Sequence, residues 1–86
     1  MIFPIQIRAA RGLLAISQIE LAGLASVGIA TIRRLEADRD GVHGAADTLW
    51  KIETALAKAG VVFVPADETG GPGVRLRTRP QDEKDG

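Results

Sequence analysis

Apolar residues recur along this chain in two different periods, and the point where the period changes divides it. From Pro4 to Ala15, Ile7, Ala10 and Leu14 return at three- and four-residue steps, the spacing of one helix face. Pro4 suits the first turn of that helix, and Gly12 weakens it slightly. A second helix is expected over Gln18 to Ala25, with Ile19, Ala22 and Ala25 inward. A third begins near Gly28 and ends near Ala37, with Val27, Ile32 and Leu35 turned onto the same core. Ser17 caps the second helix, and Glu20, three residues on, completes a capping-box pattern.

A fourth helix starts at Asp47 or a neighbour and runs through Ala59, with Leu49, Ile52 and Leu56 inward and Gly60 ending it. Trp50 falls off that stripe with Thr54 and Ala57. The favoured reading has it complete the core from the side, and the alternative is a subunit contact. Asp38-Arg39-Asp40-Gly41-Val42-His43-Gly44 is a loop by its glycines and aspartates. After Gly60 the period falls to two: Val61-Val62-Phe63-Val64-Pro65 and the alternating Val74-Arg75-Leu76-Arg77 predict two strands joined over Ala66 to Gly73. A lone two-strand ribbon is marginal in water, so it packs on the helices or pairs with the ribbon of another subunit. This divides the chain into a helical part over 1–60, a ribbon over 61–77 and a tail over 78–86 that is expected to be disordered.

Two short helices hinged at Ser26-Val27-Gly28 have the layout of a helix-turn-helix. Ser17-Gln18-x-Glu20-Leu21-Ala22, then Val27, then Thr31-Ile32-Arg33-Arg34-Leu35-Glu36 resemble the XRE-type family of Cro- and lambda-repressor-like regulators of bacteria and phages. The resemblance spans roughly positions 5 to 59. It implies a mainly α, lambda-repressor-like domain of four or five short helices, here followed by the two-strand β-ribbon. It also implies double-stranded DNA as partner, a homodimer on an inverted repeat, and a role in transcription regulation. Relatives with a similar Gly-Val-x-Phe ending and terminal Gly-Val-Arg-Leu imply that the ribbon is a dimerisation element.

Size and composition narrow the rest. A chain of 86 residues, 45% of them hydrophobic, makes one small globular domain with little room for a catalytic cleft. Its apolar surplus is readily buried against a second copy. Without cysteine there are no disulfides and no thiolate metal sites. Neither a bilayer-length apolar run nor a signal-peptide pattern is present, so a bacterial cytoplasm is the expected location. The formal charge is zero, which argues mildly against DNA binding. Its distribution matters more: Arg8, Arg11, Arg33, Arg34 and Arg39 crowd the first half, whereas Asp67, Glu68, Asp82, Glu83 and Asp85 lie towards the end.

With Gly28 at the start of the third helix, four-residue steps superimpose Ile29 on Arg33 and Ala30 on Arg34 along its outer face. The resemblance implies that Gly28, Ile29, Ala30, Arg33 and Arg34 face the bases of a major groove. Arginine pairs bidentately with guanine, while Ile29 and Ala30 can touch only a thymine methyl, unlike relatives with polar side chains there. Without that context, Arg33 and Arg34 are ordinary solvated helix charges. The resemblance also places Ser17 and Gln18 at DNA phosphates, at a helix start whose free amides favour anions. Capping alone equally accounts for Ser17, whereas Gln18 has no capping duty. Arg39 follows the third helix within reach of a phosphate, although Ala37 and Asp38 replace the polar residue and glycine of many relatives. Arg11 and Glu36 match a pair that forms an internal salt bridge in lambdoid repressors, a structural role.

His43, the single histidine, reads as a loop residue meeting solvent or phosphate, and Asp38, Asp40 and Asp47 lack the spacing of a calcium loop. No metal or cofactor is expected. With no nucleophile–base pair or phosphate loop, an enzyme is the least favoured class. The rival to a DNA-binding regulator is a protein-interaction module of the same fold, an antitoxin, antirepressor or antiactivator component. Zero net charge, the apolar Ile29-Ala30 pair and an exposed Ile2-Phe3 segment are its supports.

Overall fold

The computed structural model describes residues 2–37 and 45–79. Among them run four helices, α1 (Pro4–Leu14), α2 (Gln18–Ala25), α3 (Ile29–Ala37) and α4 (Ala46–Lys58), followed by strands β1 (Val61–Val64) and β2 (Gly73–Leu76). The expected loop over 38–44, with Asp38, Asp40 and His43, lies outside the described residues, as does 80–86 of the expected tail. Thr78 and Arg79, assigned to that tail by sequence, are described, and neither is without a partner.

The helices close on one core. Ile7 and Ala10 of α1, Ile32 and Leu35 of α3, and Leu49, Ile52 and Leu56 of α4 are buried as their periodicity predicts. α2 differs. It is apolar on nearly every side, so spacing alone does not choose its inner face. Packing against α3 and α4 buries Leu21, Ala22 and Ala25 and leaves Ile19 68% exposed, against the expected inward position. Trp50 is likewise 65% exposed, so it does not complete the core from the side. Ile2 is only 2% exposed and joins the core ahead of α1, so of the expected exposed Ile2-Phe3 segment only Phe3, 38% exposed, faces solvent.

Two helix ends use the same device. Ala15 after α1 and Ser26 after α2 adopt the left-handed conformation, with φ of 56° and 57°. The N–H groups of Ile16 and Val27 then turn back to the carbonyls of Arg11 and Ala22, each at 3.1 Å, and satisfy acceptors that the helices leave open. Gly60 follows α4 with φ of 109°, a backbone state suited to glycine, and redirects the chain into β1.

β1 and β2 pair antiparallel in the register Val61↔Leu76, Val62↔Arg75, Phe63↔Val74 and Val64↔Gly73. Val61 is buried, and Phe63 and Val74 pack beside it against the helical core, so the ribbon shares the core of its own chain. Gln6 ties the far end of the ribbon to α1. Its Oε1 accepts the Phe3 N–H at 2.8 Å, and its Nε2 donates to the carbonyls of Gly73 at 2.9 Å and Val64 at 3.4 Å. Those carbonyls belong to one cross-strand pair, so one buried amide caps the start of α1 and pins both strands. At the near end Arg77 Nη2 donates to the Ala57 carbonyl at 2.7 Å, placing a cation where the α4 dipole is negative. No helix among the described residues is long and apolar enough to cross a membrane.

Candidate nucleic-acid interface

α2, the turn at Ser26-Val27-Gly28 and α3 form a contiguous pair of helices joined by a tight bend. The left-handed Ser26 makes the bend, and half-buried Val27 anchors it against the core. Gly28 opens α3, its carbonyl accepting from the N–H of Thr31 at 3.1 Å and of Ile32 at 3.3 Å. Ile32 and Leu35 then point inward, which turns Ala30, Arg33 and Arg34 outward.

Of the residues assigned to the outer face, Gly28, Ala30, Arg33 and Arg34 are exposed. Ile29 is not: it is half-buried and packs against the core, because the first turn of α3 leans onto the helices behind it. The exposed patch is therefore two small residues beside two arginines. Neither Arg33 nor Arg34 makes an ion pair or hydrogen bond with a described residue, and Arg11–Glu36 is the one salt bridge among those residues.

At the start of α2 both halves of the capping box are present. Ser17 Oγ accepts the Glu20 N–H at 3.0 Å, and the Ser17 N–H donates to Glu20 Oε1 at 2.9 Å. Gln18 is half-buried, and its Nε2 donates to Glu36 Oε1 at 3.0 Å. That structural duty escaped the sequence reading, because the partner lies 18 positions away and nothing local marks it. Arg39 lies outside the described residues.

Behind this face sits Glu36, which takes two hydrogen bonds from Arg11 of α1 and one from Gln18 of α2. Arg11 Nη1 also donates to the Ile16 carbonyl at 3.2 Å. Burial alone acts to raise the Glu36 pKa; the hydrogen bonds from Arg11 and Gln18, with the charges of Arg11 and Arg8, outweigh it and hold the carboxyl below its ordinary range. The Glu36 hydrogen bond correspondingly raises Arg11, against a smaller opposing effect of burial. The pair remains ionised and fixes α1, α2 and α3 relative to one another.

Charge on the described part is less balanced than on the whole chain. Asp38, Asp40, Asp82, Glu83 and Asp85 lie outside it, against only Arg39 and Lys84 among the cations, so the described residues carry a positive excess. No model of a known protein family matches the chain, and no curated protein matches its sequence.

Proposed function

We propose that this chain is a lambda-repressor-like helix-turn-helix protein of XRE type that binds double-stranded DNA as a homodimer and regulates transcription. The observation that carries the reading is the Arg33–Arg34 pair, exposed and unpaired among the described residues, on the outer face of α3 directly after a tight turn from α2. Small residues at Gly28 and Ala30 let the start of α3 approach a groove closely, and the two guanidiniums supply base or phosphate contacts. The Arg11–Glu36–Gln18 cluster supports the same reading from behind, since it fixes the angle between the helix that enters the groove and its neighbours. Burial of Ile2 and half-burial of Ile29 reduce the apolar surface that favoured a pure interaction module to Phe3 and Ala30.

On this reading Ser17 and Gln18 hold the start of α2 near a phosphate, Arg39 adds a second backbone contact, and the 61–77 ribbon serves dimerisation. The protein acts in the cytoplasm as a regulator and not as an enzyme. Repression by occluding a promoter is the simplest mechanism. Selection of bound sequences from a random duplex pool tests the proposal, comparing the wild type with an Arg33→Ala, Arg34→Ala double variant. An inverted-repeat motif that the variant fails to enrich is expected. No enrichment by the folded wild-type chain overturns the proposal.

A further inference from the structure

A second surface, lined by none of the exposed α3 residues and reaching the helix-turn-helix bend only at Ser26, lies where the end of α2 meets α4. Leu24 is 57% exposed and Trp50 is 65% exposed, and together they border a hollow of about 310 Å3. Its other lining includes Ser26, Lys51, Thr54 and Lys58, and no carboxylate among the described residues contributes to it. Glu53 lines an adjoining hollow with Arg77 on the other side of Trp50, and Trp50, Thr54 and Lys58 border both hollows. Asp47, one turn before Lys51 on α4, makes no ion pair with it.

We infer that this hollow docks an acidic amphipathic helix of another protein. An exposed tryptophan beside a leucine, raised on the outer face of a packed helix, supplies the kind of apolar anchor that dominates protein interfaces. The rim decides what covers it. Lys51 and Lys58 are seven residues apart, two helical turns, so both lie on the same side of Trp50 around α4, about 10 Å apart along its axis. A partner helix with carboxylates at the same seven-residue spacing answers both ammonium groups, while its apolar residues at i, i+3, i+4 and i+7 cover Leu24 and Trp50. A second copy of this chain is a poor occupant, because two-fold pairing sets the patch on itself and brings lysine to lysine, with no carboxylate among the described lining residues to answer them. A duplex answers the lysines but leaves the apolar floor facing water.

The chain contains one tryptophan and no tyrosine, so the emission of Trp50 reports on the hollow directly. The probe is a helical peptide carrying leucines at i, i+3, i+4 and i+7 and two glutamates seven residues apart, titrated into the full chain beside a counterpart with lysines for the glutamates. The acidic peptide is expected to give a saturable blue shift and to bind about tenfold or more tightly than its counterpart. A Lys51→Glu, Lys58→Glu variant reverses that preference, and Trp50→Ala, followed by calorimetry and shown folded by circular dichroism, loses about tenfold or more in affinity. Equal binding of both peptides, an unchanged emission, or a preference that survives the charge reversal overturns the inference. So does a wild-type dimer in sedimentation that Trp50→Ala dissolves, which makes a second copy the occupant. A shift of Trp50 emission on adding a DNA duplex alone overturns it in favour of nucleic acid. A shift on changing Asp82→Lys, Glu83→Lys and Asp85→Lys in the full chain overturns it in favour of the chain's own end.

Discussion

Arg11 holds Glu36 at two points, Nε to Oε2 and Nη2 to Oε1, each at 2.7 Å, with the Glu36 side chain 4% exposed and that of Arg11 22%. Gln18 takes a remaining acceptor site of Glu36, and the Ile16 carbonyl takes a remaining donor of Arg11. One carboxylate thus joins three helices. A buried pair of this kind contributes little net stability against an apolar replacement, but it penalises the loss of one partner heavily.

That asymmetry gives the first prediction. Arg11→Met leaves Glu36 buried without its cation and lowers unfolding stability at neutral pH by about 3 kcal/mol. Adding Glu36→Leu to the same chain recovers most of the loss, since the stranded charge is then gone. Urea unfolding of the single and double variants separates the cases. A double variant as unstable as the single one contradicts the argument.

Acid titration probes the same carboxyl. Glu36 titrates below its ordinary value of 4.5, so on acidification the unfolded chain takes up this proton before the folded one does. Stability linked to Glu36 is therefore fully present above the ordinary value and is lost as pH falls through the lower, folded-state value. Exposed Asp67, also lowered by hydrogen bonds from the Thr69 hydroxyl and N–H, adds its loss on the acid side of 3.8. Thermal unfolding of the wild type and Glu36→Gln from neutral to acid pH should show a Tm gap that narrows below about pH 4.5. A gap that stays constant across the range contradicts the assignment.

How far these features were legible in the sequence depends on how local their causes are. Ser17 and Glu20 act on each other across one helical turn, so the capping box is written in four consecutive residues. The stripes of α1, α3 and α4 were legible because polar residues separate their apolar ones. In α2 Leu21 and Leu24 compete with Ile19 for the inner face, and only packing against α3 and α4 decides between them. Gln6 and Gln18 find their partners far along the chain, at Gly73 and Glu36, and no local pattern announces either contact. Of the candidate interface, Arg33 and Arg34 were correctly placed by helical spacing, whereas Ile29 was not, because spacing does not tell how a helix's first turn leans on its neighbours.

Ala15 and Ser26 supply the next prediction. Both hold a left-handed backbone that costs an L-residue roughly 1–2 kcal/mol and glycine very little. Ala15→Gly and Ser26→Gly should each raise stability by about 0.5–1 kcal/mol, after the extra chain entropy of glycine in the unfolded state is subtracted. Gly60→Ala should lower it by about 1 kcal/mol or more for the converse reason. Opposite signs in chemical unfolding check the three together, and a destabilised Ala15→Gly contradicts the argument at that site.

Gln6 makes the ribbon part of the helical domain. Gln6→Leu removes the donor shared by the Gly73 and Val64 carbonyls and the acceptor for the Phe3 N–H, a loss of about 1–3 kcal/mol. Gln6→Glu should be worse at neutral pH, because a carboxylate then faces two carbonyl oxygens. Hydrogen exchange should show amides of 61–76 opening ahead of those in α4 in both variants. Uniform loss of protection across the chain would instead mean that Gln6 acts on the whole fold and not on the ribbon.

Arg33 and Arg34 separate from Gln18 in what their removal changes. The two arginines are exposed and unpaired among the described residues, so Arg33→Ala and Arg34→Ala should leave the melting temperature nearly unchanged. On the proposed function, an arginine that reads a base loses roughly 1–3 kcal/mol of specific affinity and relaxes preference at one position of the site. One that meets a phosphate weakens all sequences alike and reduces the salt slope by about one. Gln18→Leu must behave differently, because its amide donates to Glu36 whatever it touches outside. It should lower stability by about 1 kcal/mol without DNA present, and any weakening of binding comes on top of that. Salt-dependent affinity and thermal unfolding measured on the same three variants decide the assignment. Arginine variants that melt early, or a Gln18→Leu chain as stable as wild type, would reverse the roles given to the exposed face and the pin behind it.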